Sequence, residues 1–122
     1  MPKTKILIVE DESLIALQLR LMLDRAGYEV CEPVGRGEDA IDLARAEKPD
    51  VILMDISLGG DMDGIETALR IADFSSALVI FTTGHSDPGM RDRAQALNPA
   101  AYLIKPIEIR SIQSAIKDSS SQ

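Results

Sequence analysis

Residues 49–58 read PDVILMDISL. Four apolar side chains, Val51, Ile52, Leu53 and Met54, run without interruption into a carboxylate, Asp55. The run is too short for a helix and shows no polar alternation. It therefore reads as a strand covered on both faces, the condition of a central strand in a parallel sheet. Working outward, the same pattern recurs as ILIV at 6–9, ALVIF at 77–81 and AYLI at 101–104. A weaker segment, YEVCEPV at 28–34, alternates Tyr28 and Val30 with Glu29, Cys31 and Glu32. Pro33 lacks an N–H for a central ladder, which assigns this segment to a sheet edge.

Between these strands the apolar residues take helical spacing. Leu14, Leu17 and Leu21, with Ile15, Leu19 and Met22, make a broad stripe that stops before Gly27. Further stripes comprise Ala40, Leu43 and Ala44; Ile65, Ala68, Leu69 and Ala72; Met90, Ala94 and Leu97; and Ile109, Ile112 and Ile116. Asp87 and Pro88 stand in cap and first-turn positions for the fourth. Five strands alternating with five helices predict a doubly wound (βα)5 α/β fold. It is a flavodoxin-like three-layer sandwich around a parallel five-stranded sheet of order 2-1-3-4-5. One domain is expected over residues 1–118, with 119–122 a polar, frayed tail.

Composition narrows the function classes. The 122 residues carry 20 acids against 13 bases, a net charge of −7 that disfavours nucleic acid and anionic membrane surfaces. No apolar run approaches the ~20 residues of a membrane span. The amino terminus turns acidic after one short apolar run and does not read as a signal peptide. The single cysteine, Cys31, suits a reducing compartment, so a cytoplasmic location is expected. The single histidine, His85, excludes any site that needs two imidazoles.

In a doubly wound sheet, ligands bind beyond the carboxyl ends of the strands. There the sequence carries Glu10, Asp11 and Glu12 after the first strand, and Asp55 after the third. Thr82 and Thr83 follow the fourth, and Lys105 with Pro106 the fifth. Carboxylates gathered in one pocket repel until a proton or cation relieves them. An oxygen-only donor set selects a hard ion, magnesium first and manganese as the alternative. Asp55 is then suited to attack phosphorus and form an acyl phosphate, with Lys105 and Thr83 as donors to the remaining oxygens.

The ordered pieces ILIVEDE, PDVILMDISL, MDGIE, VIFTTGH and AYLIKP resemble the receiver domain of two-component response regulators along essentially the whole chain. The resemblance implies that Asp55 is the phosphoacceptor and that Glu10 and Asp11 form the acidic pair. It further implies a Ser57 backbone carbonyl on the metal and Lys105 on the phosphoryl group. Thr83 aligns with the switch hydroxyl, because Gly84 fills the small-residue position after it, and Tyr102 with the aromatic switch. Ser57 and His85 stand where the family tunes acyl-phosphate hydrolysis, and a cis bond is common before Pro106.

Implied partners are a sensor histidine kinase or histidine phosphotransfer protein upstream, and a protein target or second copy at the surface of the fourth helix, fifth strand and fifth helix. The chain would be a regulatory domain that catalyses only its own phosphorylation and dephosphorylation. With nothing after Gln122, a stand-alone receiver or a receiver from a longer protein is expected.

Two departures stand out. The loop ISLGGDMDG is one residue longer than usual and lacks the usual proline, and Asn98 and Pro99 replace a common Gly-Ala step. Other readings fit the residues less well. A flavin-nucleotide site wants a hydroxyl- and glycine-rich loop after the first strand, where Glu10, Asp11 and Glu12 would repel phosphate. A phosphohydrolase generally wants an acid two residues past the nucleophile, where Ser57 stands.

Overall fold

The computed structural model describes residues 2–120. Ten elements alternate: β1 (Lys5–Val9), α1 (Ser13–Arg25), β2 (Glu29–Val30), α2 (Gly37–Glu47), β3 (Val51–Asp55), α3 (Gly64–Ala72), β4 (Leu78–Thr83), α4 (Pro88–Gln95), β5 (Ala101–Ile104) and α5 (Ile109–Ser120). The strands form one parallel sheet of order β2-β1-β3-β4-β5, as the apolar runs imply.

Side chains of one strand point alternately to the two faces, which divides the core in two. Leu7, Val9, Ile52, Met54 and Phe81 pack with Ala40, Ala44, Ile65, Ala68, Ile71 and Ala94 beneath α2, α3 and α4. Ile6, Ile8, Val51, Leu53 and Ile80 pack with Ala16, Leu19, Leu23, Ile112 and Ala115 beneath α1 and α5. Both faces of β1 and β3 are therefore dry, which is why their sequences do not alternate.

Element boundaries differ from the sequence reading where local chemistry intervenes. The edge strand shrinks to two residues plus an isolated bridge between Val9 and Val34, because Pro33 interrupts the donor row. β4 extends through both threonines. α1 stops at Arg25, and Gly27 follows at φ +96°, a left-handed conformation that glycine adopts without steric penalty. Asp87 caps α4, its side chain accepting from the Met90 N–H at 2.8 Å, and Pro88 occupies the first turn. After α4 the chain turns through Asn98 at φ +50°, a conformation that asparagine tolerates better than most residues. α5 continues to Ser120, so residues 119 and 120 are helical; the rest of the expected tail, 121–122, lies outside the described residues.

Candidate functional site

Strand register decides which side chains meet. Val9 pairs with Met54, Asp55 with Thr82, and Thr83 with Ile104. The next residues along β1 and β5, Glu10 and Lys105, are thereby brought to the same sheet rim as Asp55. β5 stands two strands from β3, about 10 Å at the usual spacing. A long lysine stem can cross that gap, and Lys105 does. Its Nζ lies 2.6 Å from Glu10 Oε1 and 3.2 Å from Asp55 Oδ2. The Asp55 contact is a hydrogen bond and the Glu10 contact a close ion pair. The peptide bond between Lys105 and Pro106 is cis.

Glu10, Asp11 and Asp55 each bring a carboxylate oxygen within 4.8 Å of the others. Glu10 and Asp55 are buried at 4% and 2% exposure, whereas Asp11 faces solvent. α1 begins at Ser13 with Glu12 in the cap position and no side-chain cap, so Asp11 is not engaged in capping. Burial pushes the Glu10 carboxyl up to about 7, reinforced by Asp55 and opposed by Lys105 and the Glu12 N–H. Burial alone would lower the Lys105 ammonium, but Glu10 and Asp55 more than offset it and hold it above the ordinary lysine value. Three carboxylates against one ammonium leave net negative charge in a poorly hydrated pocket. An all-oxygen set of this kind fits a hard cation.

The remaining predicted residues lie on the segment that follows β3, at the end of β4 and just after it, and on β5. The Ser57 N–H donates to Asp55 Oδ1 at 3.0 Å, which fixes the Asp55 carboxylate from its own loop. The Thr83 hydroxyl is fully buried but turned away from Asp55. It donates to the His85 carbonyl at 2.7 Å and accepts from the His85 N–H at 3.2 Å. Tyr102 is half-buried, its hydroxyl 2.7 Å from Ser86 Oγ and its ring 4.9 Å beneath the Arg91 guanidinium. His85 is exposed and contributes its backbone to Thr83. Thr82, beside Asp55 in the ladder, is buried.

Asp63 ties two helices together. Its Oδ1 accepts from the Glu66 N–H at 2.8 Å, capping α3, and its Oδ2 takes a 3.1 Å ion pair from Arg93 of α4. The cap was legible in the pattern Asp63-Gly64-Ile65-Glu66, an acceptor followed three residues later by glutamate. The ion pair, spanning 30 residues, had no such signal.

Residues 6–117 match the response regulator receiver domain family. The chain is 37% identical over 113 residues to the transcriptional regulatory protein PdtaR of Mycobacterium tuberculosis, covering 93% of this chain and 55% of that protein. With sporulation initiation phosphotransferase F of Bacillus subtilis it shares 31% identity over 118 residues, covering 96% and 94%. A solved response regulator protein from Burkholderia pseudomallei, with a phosphorylated aspartic acid, calcium ion and citrate, aligns with a TM-score of 0.84 at 29% identity. That alignment covers 92% of this chain and 65% of the other. The chain spans about half the length of the first curated relatives it matches. No helix among the described residues is long and apolar enough to cross a membrane. With its strand order, its acidic rim and nearly its whole length in agreement, the chain belongs to the response regulator receiver domain family.

Proposed function

We propose that this chain is a phosphoacceptor switch of two-component signalling in which Asp55 takes a phosphoryl group from a phosphohistidine. The observation that carries this reading is the single cluster of Glu10, Asp11, Asp55 and Lys105, assembled from three strand ends. A bond forms between an Asp55 carboxylate oxygen and phosphorus as the phosphorus–nitrogen bond breaks, and the departing imidazole keeps the electron pair and takes a proton. Glu10, Asp11, Asp55 and the Ser57 carbonyl would hold Mg2+, or Mn2+ in its place, and the bound ion would neutralise charge on the phosphoryl oxygens. Lys105 supplies a point charge to one phosphoryl oxygen, and the Thr83 hydroxyl, released from His85, donates to another.

This local change biases a two-state surface. Once Thr83 turns toward the acyl phosphate, the space it leaves admits Tyr102, which gives up Ser86. The face formed by α4, β5 and α5 then alters for a target protein or for a second copy of the chain. Ser57 and His85, flanking the acceptor, govern how water reaches the acyl phosphate. The upstream partner is a sensor histidine kinase or a histidine phosphotransfer protein, in a cytoplasmic setting. The chain turns over no external substrate; it catalyses only its own loading and hydrolysis.

Incubation with Mg2+ and a small phosphodonor should add the mass of one phosphoryl group. Asp55→Asn should abolish the gain, and an equal gain in that variant would move the acceptor elsewhere.

A further inference from the structure

We infer that Arg93 of α4 is a positioning residue for the phosphoacceptor, acting through Asp63. Four observations form a continuous path. The Arg93 guanidinium holds Asp63 Oδ2 at 3.1 Å. The other oxygen of the same carboxylate caps α3. The next residue, Gly64, sends its N–H to the Ile56 carbonyl at 2.8 Å. Gly64 is also packed so tightly that a Cβ there would collide with the Asp55 carbonyl oxygen and stand 2.8 Å from its carbonyl carbon. A displacement of Asp63 therefore reaches the Asp55 backbone with little slack, because close-packed atoms transmit shifts rather than absorb them.

The intervening loop needs such a tie. Between Ile56 and Met62, both buried, it exposes Ser57, Gly59, Gly60 and Asp61. Two adjacent glycines add conformational freedom to the segment that carries Ser57. Buried Leu58 and Met62 anchor the loop to its own layer, and Arg93 anchors it laterally to α4. Arg91, two residues before Arg93, covers the Tyr102 ring. One short helix thus touches both the acceptor loop and the aromatic residue of β5. The pathway is one of direct contacts, which is the physical basis that coupling requires.

The Asp63–Arg93 pair is partly exposed, so its effect is modest, up to about fivefold in an equilibrium constant. The inference rests on the phosphoacceptor reading for one arm of its test and not for the other. In the metal-free chain, amide exchange of residues 57–64 should accelerate two- to fivefold in Arg93→Gln and in Asp63→Asn. The latter keeps an oxygen for the cap while losing the charge. In the second arm, Mg2+ with beryllofluoride should bind up to about fivefold more weakly to either variant. The double variant should be no weaker than the singles. Molar salt should bring the wild type toward the variants.

Arg70→Gln, which breaks the exposed Arg70–Glu66 pair on α3, serves as the control and should change neither reading. Unchanged exchange at 57–64, additive losses in the double variant, or the same shifts in Arg70→Gln would each overturn the inference. A wild type that fails to bind beryllofluoride would count against the phosphoacceptor reading instead, and the exchange arm alone would then decide.

Discussion

Gly64 and Asp55 meet backbone to backbone: the space in which a side chain at 64 would begin is occupied by the carbonyl group of Asp55. The conflict involves main-chain atoms on both sides, so no rotamer change relieves it. Gly64→Ala should therefore destabilise the fold by about 1–3 kcal/mol, the range for overpacking a tight interior. It should also lower phosphoryl capture at temperatures where the variant is still folded, because any relief must move Asp55. Gly59, whose Cβ position meets only Asp11 Oδ2 at 3.8 Å, is the comparison. Gly59→Ala should change stability by no more than about 0.5 kcal/mol. Thermal melts and labelling of both variants check this. Equal behaviour of the two would mean that the close approach has no consequence.

Lys105 is the only cation among the described residues within ion-pair reach of both Glu10 and Asp55. Its removal should act in opposite directions on two kinds of ligand. Lys105→Met leaves two buried carboxylates without a counter-ion, which raises the demand for a divalent cation, so Mg2+ should bind several-fold more tightly. The same variant lacks the proposed donor to a phosphoryl oxygen, so beryllofluoride capture in saturating Mg2+ should fall. Titrations of the two ligands check the split. Losing both affinities together would mark the lysine as a structural strut rather than a charge in the site.

The fold and the centre of the site were legible because both rest on strong local signals. The apolar runs of β1 and β3 are strands dry on both faces, whereas the equally apolar run of β5 lies at the sheet edge and is only partly covered, Ile104 being 48% exposed. In each case the residue after the run is fixed at the rim by register. Hence the sequence places Glu10, Asp55 and Lys105 at one rim of the sheet. The surroundings were not legible. The Ser86–Tyr102, Arg91–Tyr102 and Arg93–Asp63 contacts join polar side chains on different elements. Such side chains follow no hydrophobic period, and their meeting depends on how far α4 leans over the sheet. The edge segment YEVCEPV is shorter as a ladder than its alternation implies, because Pro33 removes a donor and the pairing beyond Val30 lapses to a single bridge at Val34.

The elevated Glu10 carboxyl would make the proposed metal binding depend on pH. Its folded value of about 7 lies above the ordinary 4.5, so the folded state holds the proton more tightly than the unfolded state does. The stability Glu10 contributes is therefore present at acidic pH and is lost as pH rises from about 4.5 to 7. A cation needs the ionised form and would replace the proton as the relief of burial. The rise in melting temperature on adding Mg2+ should accordingly be larger near pH 8 than at mildly acidic pH. Glu10→Gln should flatten the metal-free profile in this window and shrink the Mg2+ response. A Mg2+ shift independent of pH in the wild type would contradict the pocket's electrostatics.

The 2.7 Å contact between Tyr102 and Ser86 ties down the half-buried aromatic ring, with Arg91 above it. A part-buried hydroxyl pair contributes about 0.5–1.5 kcal/mol. Tyr102→Phe and Ser86→Ala should each lower stability by no more than that, and the double variant should lose little beyond either single. On the proposed switch, in which Tyr102 gives up Ser86 when Thr83 leaves His85, losing this contact should ease movement of the ring once Asp55 is loaded. Beryllofluoride should then elicit its spectroscopic change at lower concentration in Ser86→Ala than in wild type. The chain has two tyrosines and no tryptophan, so a Tyr28→Phe background leaves Tyr102 as the sole strong fluorophore and reports its environment directly. An emission change of equal size and midpoint with and without Ser86 would show that the ring is free to move whatever its hydroxyl holds.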